Sequence, residues 1–326
     1  MSLVYPASAG ERDRWILARR GERVAVDPFV PYAFLVEEER FASGEVGAVA
    51  TVFLTNRECP FRCAMCDLWK HTLTETVPVG AIAGQMSYAL GRLEGSGLET
   101  ARQVKLYNSG SFFDARAIPV EDYGAIAAQV GRFERVIVES HPAFVGDDCW
   151  RFAAMIGRQL EVAMGLETAH PATLERLNKR MTLEQYARAA EELSEHGVAL
   201  RAFVLVQPPF LPVEEALEWA CRSIDFAFGC GATAVSLLPT RAGNGAVEAL
   251  AQMGEFVAPS LKMVEDALDY GIGLCASSGR GRVFVDLWEM ERVAACVDCG
   301  KARVERMRRM NLNQVVLDRV RCGSCG

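Results

Sequence analysis

Three cysteines, Cys59, Cys63 and Cys66, fall within the stretch "TNRECPFRCAMCDLWKH". Thiolates at i, i+4 and i+7 of a loop can converge on one centre, and they are preferred ligands of zinc and of iron-sulfur clusters. A structural zinc wants four ligands, and His71, five residues past Cys66, would complete a Cys3His set. A cubane cluster on the three thiolates would instead leave one iron without a protein ligand, open for chemistry. A second constellation is Cys296, Cys299, Cys322 and Cys325 in "CVDCGK" and "RCGSCG", two C-x2-C pairs separated by 22 residues. Such paired knuckles suit a four-thiolate zinc site, and the metal would fold a tail too small to bury its own core. An auxiliary iron-sulfur cluster takes the same ligands; zinc is the favoured of the two. Seven of the eleven cysteines therefore sit in tight groups, which in a reducing compartment points to ligation rather than disulfides. Cys149, Cys221, Cys230 and Cys275 are scattered and read as small buried hydrophobes.

The elements that must position the triplet are legible as apolar, β-branched runs alternating with helical patterns. Strands are expected at 47–55, 102–108, 135–140, 160–167, 199–207 and 232–239. Between them lie segments of helical spacing, such as "TLEQYARAAEELSEHG", that end in a glycine suited to a helix stop. The fold class is therefore α/β, a partial (β/α)6 barrel of parallel strands with helices outside and a small C-terminal Cys-rich metal-binding tail. Residues 1–46 are expected as an irregular N-terminal cap, 47–289 as the barrel core and 290–326 as the tail. In such folds chemistry lies at the carboxyl ends of the strands. Those ends carry the cysteine triplet, "NSGSFFD", "SHP", "ETAH", "QPPF" and "TRAGNG" in order.

At 326 residues with 50% hydrophobic content, the chain can bury a large core. The start "MSLVYPASAGERDRW" lacks a secretory pattern and no apolar run is long enough to span a membrane, so a cytoplasmic protein without membrane partners is expected. The net charge of −7 offers no general attraction to phosphate backbones. The stretch from Lys301 to Arg321 is locally basic, with seven Lys or Arg against two acidic residues, and is read as a solvated helix face in preference to an RNA-binding one.

C-x3-C-x2-C after a first strand resembles the signature of the radical S-adenosylmethionine enzymes, over roughly 45–290. The resemblance implies a [4Fe-4S] cluster on Cys59, Cys63 and Cys66. Its open iron binds S-adenosylmethionine, and reductive cleavage yields a 5′-deoxyadenosyl radical that abstracts a substrate hydrogen. An external electron donor of flavodoxin or ferredoxin type is implied. By the same resemblance Ser109, Gly110 and Ser111 would receive the methionine amino group, Glu167 the ribose hydroxyls and Lys179 the methionine carboxylate, with the Met65 backbone near adenine. A finer likeness, carried by "KLYNSGSFFDARAIP", "GLETAHPATLERLNKRM" and "FVLVQPPFLP", is to the branch containing the radical β-subunit of archaeosine synthase and the catalytic elongator subunits. That branch implies a nucleobase or tRNA substrate. The chain departs from it in its compact triplet followed by Asp67, and in Gln207 where a lysine tends to precede the two prolines. Asp114, Glu139, His141, His170 and Gln207 are the substrate-facing candidates, although loop-capping suits each of the acids and histidines equally. Two other readings stand beside this one: the same chemistry in small-molecule or lipid metabolism, and a non-catalytic adaptor with two zinc sites.

Overall fold

In the computed structural model residues 4–290, 293 and 296–324 are described. Cys325 lies outside the described residues. Eight strands among them form one sheet in sequential order: β1 (Ala33–Arg40), β2 (Val46–Leu54), β3 (Gln103–Asn108), β4 (Arg135–Ser140), β5 (Gln159–Glu167), β6 (Ala199–Val206), β7 (Ala234–Pro239) and β8 (Val283–Val285). β1 is antiparallel to β2, and every later pairing is parallel. The sheet curls into a half-barrel. All six expected strands are present, but two were not anticipated. The stretch 1–46, expected as irregular, contains helix α1 (Ala9–Leu17) and β1. β1 carries the run Glu37, Glu38, Glu39, Arg40, which hides its strand character from hydropathy, and β8 has three residues only.

Period-two alternation divides each strand between two environments. Ala50, Val52 and Leu54, Val104 and Leu106, and their counterparts on later strands form the main core under the outer helices. These helices are α2 (Ala81–Leu93), α3 (Tyr123–Val130), α4 (Asp147–Ile156), α5 (Pro171–Arg176), α6 (Leu183–Glu195), α7 (Val213–Gly229) and, after the short α8 (Ala246–Gln252) that packs in a separate smaller core, α9 (Leu261–Ser278). α6 starts with a complete capping box, Thr182 with Gln185, so its entry after β5 is fixed locally.

The opposite, concave face is charged toward the strands' amino ends. Arg201 of β6 reaches across to Glu39 of β1 through bonds of 2.6 and 3.1 Å, and its Nε donates to Glu161 of β5 at 2.6 Å. Lys105 contacts Glu39 at 2.7 Å and Arg135 contacts Glu161 at 2.7 Å. First and sixth strands can share an ion pair only because the sheet curls. All of Glu39, Lys105, Glu161 and Arg201 are buried, so each charge depends on its partners. This network floors the barrel and leaves the carboxyl end open.

A final helix, α10 (Gly300–Asn313), packs against both β1 and β8, the two edges of the sheet. The basic residues of this stretch divide: Arg306 is buried and Arg303, Arg306 and, beyond the helix, Arg319 pair with Glu265, Asp266 and Asp269 of α9, whereas Lys301, Arg308 and Arg309 of α10 are exposed to solvent as expected. No helix among the described residues is long and apolar enough to cross a membrane.

Candidate functional site

The triplet loop leaves the carboxyl end of β2 and is anchored from several directions. Ala64 N donates to Leu177 O at 2.9 Å, Asn178 Nδ2 to Arg62 O at 2.8 Å, and Asn244 Nδ2 to Ala64 O and Cys66 O at 2.8 and 3.1 Å. Glu58, just before Cys59, is bound by Arg20, Arg23 and Arg62. A second apolar core lies under the loop, built from Tyr5, Trp15 and Ile16 at the N-terminus, Ala64, Leu177, Phe210 and α8, with Met65 packed at its margin. Cys59, Cys63 and Cys66 are half-buried. Burial pushes all three thiols up, Cys66 to about 12, so a cationic centre is what would hold them as thiolates. His71 is stacked on Tyr32 at 4.8 Å. Among the described residues the triplet and His71 do not gather their ligand atoms within 4.8 Å of one another, whereas the tail cysteines do. A single tetrahedral zinc would need that closeness.

After β3 the chain turns against the triplet. A side chain at Gly110 would begin 3.2 Å from Cys59 Cβ and 3.7 Å from its Sγ, and the residue's φ of 149° is rarely adopted by other residues. Ser109 N donates to Asn56 Oδ1 at 3.2 Å, and Ser109 Oγ donates to Leu68 O at 3.0 Å. Ser111 Oγ accepts from His141 N at 2.8 Å. The turn is thereby fixed against the cysteine loop on one side and β4 on the other.

β5 ends in an irregularity between Gly165 and Glu167, which re-aims the last side chain as bulges do. Glu167 has φ 66°, and its Oε1 receives a 2.5 Å bond from Lys179 Nζ, with both residues buried. Neither is a surface charge. A Cβ at Gly165 would collide with both Glu167 Oε1 and Lys179 Nζ, so the glycine makes room for the pair. Burial lowers the Lys179 ammonium, but the Glu167 carboxylate and the nearby Cys63 more than reverse this, to about 12. His141 Nδ1 accepts from Ala143 N at 3.1 Å, so Nε2 carries the proton and donates to Lys179 O at 3.0 Å. Its ring stacks on Phe61 at 4.0 Å. Burial, aided by the Lys179 charge, drops this imidazole to about 3: it is a neutral brace between the loop and Lys179.

The remaining candidates divide. Glu139 faces the open lumen, accepts from Asn108 N at 3.1 Å, and is pushed up by burial to about 8. Gln207, at φ 57°, donates to Leu211 O at 2.8 Å while its buried Oε1 has no hydrogen-bond partner among the described residues. Asp114 accepts from Arg116 N at 3.0 Å and closes its own turn. His170 Nδ1 accepts from Thr173 N at 3.0 Å as the cap of α5. The structure adds groups that sequence reasoning missed. Tyr107 lies between Phe53 and Phe203, with ring centroids at 6.0 and 6.1 Å, and forms an aromatic lumen wall beside Glu139. Alternation along β2, β3 and β6 could have found these three rings. Asn244, in the flagged "TRAGNG", clamps the triplet loop as described. Unpartnered buried polar atoms also occur at the ends of β3 and β7, on Asn108 and Thr240.

No family model matches the chain. An archaeosine synthase subunit beta of Methanosarcina acetivorans is 28% identical over 213 residues, 63% of this chain and 60% of its own length. An uncharacterized protein of Methanocaldococcus jannaschii is 24% identical over 313 residues, 90% of this chain and 84% of its own. Among solved structures, the archaeal Elp3 of Methanocaldococcus infernus superposes with TM-score 0.52 at 14% identity, covering 70% of this chain and 59% of that one. The chain shares the fold of this archaeal Elp3. Within this fold, the triplet loop, the Gly110 turn and the Lys179–Glu167 pair share the carboxyl rim. The chain spans 60% of the length of the Methanosarcina subunit it matches.

Proposed function

We propose that the chain is a radical S-adenosylmethionine enzyme with a [4Fe-4S] cluster on Cys59, Cys63 and Cys66, acting on a nitrogenous substrate such as a modified nucleobase, free or in tRNA. The observation that carries this reading is the side-chain-free approach of Gly110 to Cys59, beside a buried Lys179–Glu167 pair whose cation bears on Cys59 and Cys63. Three thiols and no compact fourth ligand suit a cubane with one open iron better than zinc. When bound, the reduced cluster and S-adenosylmethionine supply a 5′-deoxyadenosyl radical that takes a hydrogen atom from the substrate. The chain's residues would bind and orient. Lys179 offers its ammonium to the methionine carboxylate, Glu167 its oxygens to the ribose hydroxyls, and the Ser109–Ser111 turn its backbone to the amino group. Met65 would line the adenine side. The aromatic wall of Phe53, Tyr107 and Phe203 would exclude water from the radical and stack on a planar substrate. Glu139, largely protonated at neutral pH, would donate a hydrogen bond to it. The electron would come from a donor of flavodoxin or ferredoxin type.

The test is anaerobic reconstitution with iron and sulfide, then reduction with S-adenosylmethionine present. The expected outcome is a broad absorption near about 400 nm and release of 5′-deoxyadenosine, both lost in Cys63→Ala. Absence of both from the parent protein would overturn the proposal. A second reading, the same chemistry on a small molecule without RNA, is favoured by the net charge of −7 and by the pairing of Arg303, Arg306 and Arg319 with α9. tRNA binding that weakens steeply with salt would exclude it.

A further inference from the structure

We infer that Cys296, Cys299, Cys322 and Cys325 bind one zinc ion, and that this ion clamps α10 across the free edge of β8. The inference does not rest on the function proposed for the triplet.

Sulfur spacing separates the metal centres that four thiolates can hold. Two thiolates on one tetrahedral zinc, with Zn–S of about 2.3 Å, stand about 3.8 Å apart. On a cubane each thiolate binds a different corner iron, which sets the sulfurs roughly 6 Å apart. In a two-iron cluster any three of the four thiolates include a pair divided between the irons, and these too are widely separated. Here Cys296 Sγ and Cys322 Sγ are 3.8 Å apart, and the Cys296, Cys299 and Cys322 sulfurs all lie within 4.8 Å of one another. That is the scale of a single ion. The second C-x2-C pair, Cys322 and Cys325, supplies the fourth ligand by sequence.

The surroundings fit a thiolate centre. Ser324 N donates to Cys322 Sγ at 3.4 Å, and Ser324 Oγ ties the second knuckle to Asp298 of the first at 2.5 Å. Arg303 is hydrogen-bonded to Cys299 as well as to Glu265, placing a cation against sulfur ligands whose combined charge exceeds that of one divalent ion. Outer partners of this kind orient ligands and tune the metal.

The knuckles flank α10, and α10 does something particular. Among the described residues β8 is the last strand of the sheet, and its outer backbone groups face no further strand. Asn311 takes the Val285 N–H at 2.9 Å and donates to Val285 O at 2.8 Å, and Gln314 does the same for Val283 at 2.8 and 2.8 Å. Two side-chain amides thus stand in for a ninth strand and protect an edge that would otherwise be open for pairing. After Gln314 the chain returns past Arg306, whose guanidinium donates to Leu317 O at 2.7 Å, toward Cys322. One ion between the segments before and after α10 closes this loop and fixes the amides in register.

The experiment uses full-length Cys59→Ser/Cys63→Ser/Cys66→Ser protein, so that the triplet contributes no metal. Elemental analysis should return about one zinc per chain, and zinc-edge X-ray absorption should show a shell of sulfur near about 2.3 Å without a metal-metal distance. Iron in place of zinc, or a folded variant without metal, would overturn the assignment. If the variant does not fold, the same absorption measurement on the parent protein decides, because zinc with four sulfurs supports the site and an iron-only protein refutes it. The clamp is tested by hydrogen exchange after zinc chelation. Exchange at the Val283 and Val285 amides should rise at least tenfold, and unchanged protection would refute the clamp.

Discussion

Replacing Gly165 with Ala tests whether the rim is organised around the Lys179–Glu167 pair. The glycine has an ordinary φ, so alanine brings no backbone strain, and its one added carbon meets Glu167 Oε1 and Lys179 Nζ. Both are ends of flexible chains, so the pair must part while the strand stays. Overpacking of this type costs about 1–3 kcal/mol, which for a chain of this length lowers Tm by roughly 1.5–4.5 °C. If the two charges bind S-adenosylmethionine, disturbing one charged hydrogen bond removes about 1.5–3 kcal/mol, or roughly tenfold to a hundredfold in affinity. Gly124→Ala is the calibration: it lies exposed in α3 with nothing within 4 Å of the added carbon, and should stabilise by up to about 1 kcal/mol. Thermal melts and calorimetric titration of anaerobically reconstituted protein read both effects. If Gly165→Ala melts and binds as Gly124→Ala does, the spatial argument is wrong. If only its stability falls, the pair is a structural element and not a ligand for the cofactor.

Two further changes test the electrostatics of the barrel interior. Arg201→Met leaves the buried carboxylates of Glu39 and Glu161 without their shared partner and should cost about 3–5 kcal/mol at pH 7 by urea denaturation. Burial raises the Glu39 carboxyl, but Arg201 and Lys105 outweigh this and hold it far below the usual carboxylate range. The parent's stabilisation is therefore present above about pH 4.3 and is lost as pH falls toward the folded value. The deficit of the variant should shrink on acidification, and a deficit independent of pH would refute the assignment. Glu139 has the opposite sign. With its carboxyl raised to about 8, the folded state binds the extra proton, so the parent loses stability as pH rises from about 4.3 through 8. Glu139→Gln should remove about 1–2 kcal/mol of that slope, allowing for water reaching the lumen. Parallel Tm profiles for parent and variant between pH 5 and 9 would contradict this.

The parallel strands were legible because their helix-facing positions are continuous apolar runs, as in Val104, Leu106 and Val136, Val138. β1 was not, because its concave face carries Glu37 and Glu39 for partners more than 60 residues away, and no local pattern announces so distant a charge. The triplet and the tail knuckles were visible from spacing alone. What separates them, the distance between sulfurs, is set by the packing of α10 and the loop and has no trace in the spacing. His141 and Asp114 were less legible: residue type left substrate contact and loop capping equally open, and the hydrogen bonds to Ala143, Lys179 and Arg116 use them in bracing turns.

Backbone strain is concentrated where the rim charges lie. Five non-glycine residues with positive φ, Glu167, Asn178, Arg180, Gln207 and Phe210, fall at the end of β5 or on the connections that follow β5 and β6. Each costs on the order of 1 kcal/mol or more and persists only where its surroundings over-determine it. The surroundings here are the triplet loop. Leu177 and Asn178 bond Ala64 and Arg62, and Phe210 packs in the same small core as Ala64. Conversely, the loop has few regular hydrogen bonds of its own and takes its shape from these strained neighbours. Cysteine loop, Lys179 and Glu167 therefore behave as one mechanical unit: whatever organises the thiols also holds the charged pair in a conformation that the isolated connections would abandon.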